Sequence, residues 1–545
     1  MQPRRKIPPF RTLLGLLLAL AAVFSLINLP SLEDGLGFRA LLPPLFAITL
    51  ALLFREVLLA LLGGIWLGAS YLCSGNPATG LLRTLDTHLI NALSDSSHAS
   101  IILFSLILGG MVGIIGASGG AAGMVQRISR WAKGPRSVQF SAWLMGMLIF
   151  FDDYANTLIV GNTFRPLCDR YRISREKLSF IVDATAAPVA SIALISTWIG
   201  FEVGLIADGM VPLGAISSPN QAYAVFIETL LYRFYPVYLL LLVFLICIRN
   251  RDFGSMLAAE RRCRATGAVL APHAKPLTGD LTLDQTRATL TENSWIWGAA
   301  PIIVVIVATI VGLYFDGMRV LGEKASQTPM YQIIATANSF NVLMWASFAG
   351  ALCAGIMGIC GARLKLSEVI EAFNNGVKTM IGAIMVLILA WGIGSICQEI
   401  KTADYIITTS RGILSPHLIP VLTFIVSALI SFATGTSWGT LSILMPIVIP
   451  IAYQFPIEAN LGAEMSRAIL ITTIGSVLAG STFGDHASPI SDTTIISSMA
   501  SGADHLDHVK TQLPYALVAA LVALIFGYLP AGFNVSPLII LPVGV

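Results

Sequence analysis

Two carboxylates stand side by side at Asp152 and Asp153, in FDDYANTLIVGN, close behind the uncharged run SVQFSAWLMGMLI. Others lie in equally apolar surroundings: Asp183 in DATAAP, and Asp485 and Asp492 in GDHASPISDTT. Hydroxyl and amide side chains accompany them, Asn156, Thr185, Ser196 and Thr197 in one half of the chain and Thr436, Ser437, Ser488, Ser491 and Thr493, with His486, in the other. An ionised carboxylate at the centre of a membrane helix costs about 2.5–3.5 kcal/mol on insertion scales, so each needs a reason to be there. Carboxylate, hydroxyl, amide and backbone oxygens are the ligands a hard alkali cation takes. A carboxylate in such a place holds either a cation or a proton, which is the chemistry of exchange. Pro188 and Pro489 leave carbonyls without helical partners, and Gly435, Gly439 and Gly484 allow backbones to come close. These residues form the candidate cation and proton site, with Asp152, Asp183, Asp485 and Asp492 as candidate Na+ ligands.

Structural roles compete with these. One Asp of the adjacent pair suits a helix N-cap, Asp183 could be a hydrogen-bond partner for the segment around FDDYAN, and His486 could be a satisfied core histidine. Trp198 and Trp438 read as packing or interface residues. Glu202, Glu228 and Glu399 fall near predicted helix ends, where they would be solvated, and Glu56 reads as interfacial. The glycine-rich GASGGAAG suits close helix packing better than phosphate binding.

The elements that position these residues follow from composition. Of 545 residues, 55% are hydrophobic and 12% charged, about half the charged share of soluble domains, roughly 25%; mean hydropathy is +0.79. Apolar runs such as PIIVVIVATIVGLY and YALVAALVALIFGYL approach the length of about 20 residues that crosses a bilayer. The chain is an all-α polytopic membrane protein. Its net charge of +3 gives no footprint for nucleic acid, and its seven scattered cysteines form neither a disulfide framework nor a zinc site. MQPRRKIPPFR begins like a signal peptide, but the long apolar run after it has no small-residue cleavage site, so an uncleaved first helix is expected.

Basic clusters at Arg4–Arg11, Arg127–Arg136, Arg165–Lys177 and within 249–293 belong on the cytoplasmic side. Spans at 12–30, 40–54, 56–73 and 99–117 satisfy that parity. The second and third clusters are separated only by 137–164, too short for two crossings, so the chain enters and returns as a re-entrant hairpin with FDDYAN at its tip. Spans at 178–207, 222–248, 294–314, 336–360 and 377–399 follow. A second hairpin, at 413–455 and broken by FATGTSWGT, enters from outside, and helices at 467–498 and 513–533 complete about eleven spans plus two hairpins.

The order repeats. GLLRTLDTHLINALSD precedes a span, a hairpin and a polar-interrupted helix; KLSEVIEAFNNGVKTM precedes the same series. DATAAP and DHASP pair the interrupted helices, although FDDYAN and FGDHAS offer a competing alignment. Since the hairpins enter from opposite sides, the repeats are inverted, as in many secondary transporters. The expected divisions are an N-terminal segment and first helix (1–39), a first repeat (40–248), a cytoplasmic linker (249–293) and a second repeat (294–545).

GDHASPISDTTIISS and the block from Phe151 to Glu202 closely resemble the patterned segments of NhaC-type Na+/H+ antiporters, with Ala487 where that family often has Cys. The resemblance runs from about residue 40 onward. It implies two inverted repeats, an elevator-like motion, cation coupling and a multi-pass protein of the bacterial cytoplasmic membrane. The activity it implies is exchange of Na+ or Li+ for H+ by alternating access, with no cofactor. Some members move malate or lactate instead, so a cation-coupled organic-anion antiporter is the alternative; the apparent lack of an intramembrane Arg or Lys stands against it. Enzyme activity, such as an intramembrane hydrolase using Asp and His, is not expected. Partners are small ions or a small organic acid, with a second copy of the chain in a homodimer.

Overall fold

The computed structural model describes residues 37–544 apart from 55, 130–131, 277–293, 329, 331–332, 334–335 and 411–413. The expected all-α polytopic architecture is what the chain adopts. Among the described residues ten helices are long and apolar enough to cross a bilayer, eleven if the bent pair Val57–Leu72 and Pro77–Ser94 is one span. That pair turns through 117°, where the Asn76 side chain accepts from the N–H groups of Ala78 and Thr79 and so starts the second arm. The expected helix at 12–30 and its basic cluster lie outside the described residues.

Helices α1 (Leu42–Phe54) and α2 (Val57–Leu72) pack together. Helix α3 (Ser96–Ala117) starts at Asp95, whose carboxylate accepts from the N–H groups of Ser97 and His98. Short helix α4 (Gly120–Ser129) follows, then α5 (Pro135–Leu148) and α6 (Asp153–Arg170), which form the first hairpin. The expected helix at 178–207 is in three pieces: α7 (Arg175–Ala184), α8 (Ala187–Ile192) and α9 (Ile199–Met210). Helices α10 (Ala222–Leu230) and α11 (Phe234–Arg249) lead to α12 (Gly254–Thr266).

The described part of the expected linker is therefore folded. It docks on the start of α7 through a buried Lys177–Asp252 ion pair and an Arg262–Glu176 pair at 2.9 Å. Glu260 also accepts from the Ser174 N–H and hydroxyl, at 2.9 and 2.8 Å.

In the second half, α13 (Ser294–Leu321) and α14 (Ser339–Ile356) precede α15 (Leu366–Glu399). The amphipathic stretch at 365–380, expected to be separate, is continuous with the span after it. No glycine or proline break intervenes as it does at Asn76–Pro77. Helices α16 (Ile419–Thr434) and α17 (Ser437–Glu458) make the second hairpin. Then come the broken pair α18 (Ala463–Ala487) and α19 (Asp492–Ser501), and finally α20 (His505–Val522). A span, a hairpin and a broken helix thus occur twice in the same order.

Small residues bring these elements together. A Cβ on Gly113 would lie 2.3 Å from the Ala372 carbonyl, and one on Gly376 would lie 2.1 Å from the Gly109 carbonyl. Helices α3 and α15 therefore meet backbone to backbone, the arrangement small residues permit in membranes. Gly120 and Gly123 likewise press on the backbone of Ser294–Gly298, so GASGGAAG serves close helix packing.

Candidate functional site

Both hairpins turn in the same way. Asp152 is extended (φ −156°, ψ 127°) and caps α6, its carboxylate accepting from the Ala155 N–H at 2.7 Å. Thr436 is extended (φ −149°, ψ 128°) and caps α17, its hydroxyl accepting from the Gly439 N–H at 3.4 Å. The chain reaches Thr436 through Gly435 at φ +75°, a left-handed conformation that favours glycine, with Ile490 packed where a side chain would stand. The equivalent caps favour pairing the broken helices with each other, DATAAP with DHASP. Of the adjacent carboxylates, Asp152 is the cap and Asp153 is the first residue of α6, where the helix dipole favours negative charge.

Asn156, one turn later, ties hairpin to broken helix. Its amide donates to the carbonyls of Gly146 and Thr185, each at 2.7 Å, and of Ile149 at 3.2 Å. Its own oxygen is buried and has no partner among the described residues.

Asp485, on the last turn of α18, gathers three hydroxyls. Ser437 donates at 2.8 Å, Ser491 at 2.5 Å and Thr493 at 3.5 Å, from the second hairpin and from the break before α19. The carboxylate is only 6% exposed, with no basic side chain among its hydrogen-bond partners.

In front of these turns lies a cavity of about 900 Å³. One wall is α3 and α15, with Gly113, Asn375 and Thr379; the other holds both hairpin turns, with Asp152, Asp153, Thr197, Thr436 and Asp492. Glu56 lines it too, and among the described residues no Lys, Arg or His does. Trp198 and Trp438, expected only to pack, pack edge to face at 6.1 Å and also line the cavity.

The candidate residues separate in space. Among the described residues no three His, Cys, Asp or Glu side chains converge as a metal site. Asp183 is absent from the cavity wall. Its oxygens accept from Gln512 at 2.8 Å and Ser497 at 3.3 Å, and His508 lies 3.7 Å away. Thr185 donates to the Ile181 carbonyl at 2.8 Å, and Ser196 to that of Ala190 at 3.0 Å, so both hydroxyls brace the break in the first broken helix. Ser488 accepts from the Ile490 N–H at 3.3 Å inside the second break. His486 bonds Tyr235 at 2.9 Å through Nδ1 and has no protein partner on Nε2.

Two expectations about charge are overturned. Glu202 is not solvated: it is 1% exposed and receives Arg233 at 2.8 and 3.1 Å. Nor does the interior lack cations, since Arg233 is fully buried; Lys177 is buried as well, but at the start of α7 against the linker, in the basic cluster where it was expected. Arg233 also donates to the Ser191 carbonyl, which α8 leaves free near its end. Each charge is neutralised by a partner remote in sequence, a relation that hydropathy cannot display. Glu228 and Glu399 are exposed as expected. Sequence reasoning also missed His505, His508 and Gln512, whose spacing of three and four residues sets them on one helical face, a readable signal.

Residues 189–533 match the model of the Na+/H+ antiporter family. An uncharacterized protein of Haemophilus influenzae is 30% identical over 510 residues, 92% of either chain. The malate-2H+/Na+-lactate antiporter of Bacillus subtilis is 28% identical over 176 residues, 31% of this chain and 34% of that protein. The Na+/H+ antiporter NhaC of Alkalihalophilus pseudofirmus is 25% identical over 182 residues, 32% and 37%. The chain thus spans about a third of the length of these two antiporters. In structure it is similar to the YdaH transporter of Alcanivorax borkumensis, with a TM-score of 0.56 at 16% identity over 83% of this chain and 89% of that one, a likeness of fold.

Proposed function

The chain belongs to the Na+/H+ antiporter family, and from that premise we propose that it exchanges Na+, or Li+, for H+ across the cytoplasmic membrane by alternating access, as a homodimer. The observation that carries this reading is the charge of the cavity: among the described residues Glu56, Asp152, Asp153 and Asp492 line it, and no Lys, Arg or His does. Such a wall concentrates cations and repels anions. The buried cations that could have received a carboxylate cargo are spent, Arg233 on Glu202 and Lys177 on Asp252.

In this reading the cation is drawn to Asp152, Asp153 and Asp492 beside Thr197 and Thr436. Asp485, with Ser437, Ser491 and Thr493, supplies the oxygen-rich site behind them. The free oxygen of Asn156 adds a neutral ligand at the first turn. Helices α3 and α15 form the wall against which both hairpin turns would slide.

One observation favours a second reading. The cavity, about 900 Å³, is at the upper end of the range for small-molecule sites, roughly 300–1,000 Å³. An organic acid would fit there with Na+ bridging it to the aspartates, the class of cargo carried by the B. subtilis relative.

Purified protein in liposomes with an internal pH dye separates the readings. Sodium alone should evoke a pH change in wild type, and Asp485→Asn should abolish it. A response only when malate or lactate is present would select the second reading. A full sodium response in Asp485→Asn would remove Asp485 from the site.

A further inference from the structure

A chain of hydrogen bonds outside the cavity reaches Asp183 from the edge of the protein. His505, the first residue of α20, is half-buried, whereas His508, Gln512 and Asp183 are at most 1% exposed. Ser498 Oγ lies 3.0 Å from His505 Nδ1 and 2.8 Å from His508 Nδ1. His508 Nε2 is 2.9 Å from Gln512 Oε1 and 3.7 Å from Asp183 Oδ2.

The donors and acceptors can be counted. Gln512 Nε2 donates to Asp183 Oδ2 and to the His486 carbonyl, so Oε1 faces His508 and accepts the N–H on its Nε2. His505 Nε2 lies 2.7 Å from the Pro489 carbonyl, which only accepts, so that nitrogen carries a proton as well. When both rings are neutral, both Nδ1 atoms are therefore bare. They face one hydroxyl, whose single proton can also be donated to the Thr494 carbonyl, 2.9 Å from Ser498 Oγ. One hydroxyl proton cannot serve both nitrogens: the half-buried His505 Nδ1 can turn to water, whereas an unserved Nδ1 on the fully buried His508 is costly.

We propose that this cluster is the proton-binding and proton-delivery site of the exchanger, distinct from the cation site at the cavity; the inference rests on the antiport reading above. A proton from the solvent enters at His505 Nδ1. It passes to Ser498 Oγ as the serine's own proton moves to His508 Nδ1. His508, now doubly protonated, turns its Nε2–H from Gln512 Oε1 at 2.9 Å toward Asp183 Oδ2, closing a gap of 3.7 Å, and releases that proton there. One proton has entered and one has reached Asp183; both rings end neutral, His508 as the Nδ1–H tautomer. Gln512 holds Asp183 in place and is a positioning residue.

The entrance faces the basic side of the protein. Arg175 donates to the Ser501 carbonyl at 2.8 Å, Arg165 and Arg175 flank Gly502, and Asp504 accepts from the Lys275 N–H at 2.9 Å. Basic clusters mark the cytoplasmic face, so the relay opens to the cytoplasm. Among the described residues the other titratable groups around it are Asp504 and Asp507 at the start of α20, His273 beside Asp507 at 3.2 Å, Asp485 and His486 on α18, and Tyr235 on α11.

Ser498→Ala and His505→Asn test the relay in proteoliposomes by two assays. Exchange of radioactive sodium for unlabelled sodium needs no proton transfer, whereas exchange of sodium for protons does. Each variant should lose about 100-fold or more in Na+/H+ exchange, the lower end for a lost acid–base group, and keep Na+/Na+ exchange within about twofold. Parallel losses in both modes would assign the cluster a structural role only, and unchanged Na+/H+ exchange would also overturn the relay. His505→Asn, at the half-exposed end, decides the matter if the buried alanine fails to fold. Absence of all sodium exchange in wild type would refute the proposed cargo and leave the relay to an independent measurement. That measurement follows the infrared band of the protonated Asp183 carboxyl, identified by its loss in Asp183→Asn, after an acid jump. Ser498→Ala should slow its appearance about 100-fold or more; equal rates overturn the relay whatever the cargo.

Discussion

Replacing Gly484 by alanine should cost transport far more than it costs the fold. Helices α16 and α18 lie together along a seam where Ser427 donates to the Val477 carbonyl at 2.8 Å and Ser431 to that of Ser481 at 2.6 Å. A Cβ at position 484 would stand 2.2 Å from the Phe432 nitrogen, 2.3 Å from Ser431 Cβ and 2.4 Å from the Ser431 carbonyl carbon. None of these atoms is at the end of a flexible side chain, so no rotamer change relieves the clash. Ordinary contact begins at 3.4 Å, and the helices must part by the difference from 2.2 Å, roughly 1.2 Å. Overpacking of this kind costs about 1–3 kcal/mol, which a protein of this size survives. The site does not tolerate it as well. Ser437 follows α16 across a two-residue turn and Asp485 follows position 484 directly, so the same movement takes their 2.8 Å bond to about 4 Å, beyond hydrogen bonding. Misplacing a functional group by about 1 Å costs on the order of 100-fold. Sodium-evoked pH change in proteoliposomes should fall by that factor in protein that still elutes as a single folded species. Gly355→Ala, whose nearest neighbour would be Val369 Cγ1 at 3.9 Å, is the matched control and should transport normally. A wild-type rate in folded Gly484→Ala would refute the argument that the seam sets the Asp485 site.

Other substitutions bear on the buried charges and on the first hairpin. Arg233→Met should lower stability by about 3–5 kcal/mol, because it strands Glu202 without its partner; the thermal midpoint in detergent should drop steeply, and adding Glu202→Gln should recover much of it. Asn156→Ala removes the donor to three carbonyls and should cost about 1–3 kcal/mol, read by the same melt, together with loss of sodium-evoked pH change. Ser431→Ala deletes one interhelical bond and should cost only about 1 kcal/mol; transport at saturating sodium should persist.

The hairpin at FDDYAN was legible because charge topology left no other route. Two basic clusters must share one side, and the apolar stretch between them is too short for two crossings. The second hairpin was legible from its break, where Gly435 and Thr436 carry the conformations their types favour. The chemistry of exchange was legible from the density of aspartate and hydroxyl side chains in apolar surroundings. What could not be read was the partition among them. Asp183 is set apart from the cavity by α20, more than 300 residues later, and nothing in the local pattern of DATAAP signals that. The Glu202–Arg233 pair was hidden for a related reason. Each residue sits beside a helix end, where hydropathy predicts water, and only the packing of α9 against the start of α11 removes it. His505, His508 and Gln512 did carry a helical spacing, but that face acquires meaning only once Ser498 is seen to fill it.

Two carboxylate sites make an antiporter only if loading one is sensed by the other, and the contact that could carry this is short. Asp485, in the proposed cation site, is followed by His486, whose carbonyl accepts from Gln512 at 2.5 Å, and Gln512 holds Asp183 at 2.8 Å. The Thr494 hydroxyl lies 3.2 Å from the Asp485 carbonyl and 3.1 Å from that of His486, and so clamps the peptide between the two sites. A cation drawing Asp485 forward would pull on that peptide, and through Gln512 on the carboxylate that takes the proton. Thr494→Val keeps the shape and removes the clamp. It should leave sodium transport measurable but loosen its coupling, lowering the number of protons moved per sodium ion. Simultaneous records of radioactive sodium and internal pH in one set of proteoliposomes give that ratio. An unchanged ratio in the variant would show that the two sites communicate by another route, and the hydroxyl would then be only a helix brace.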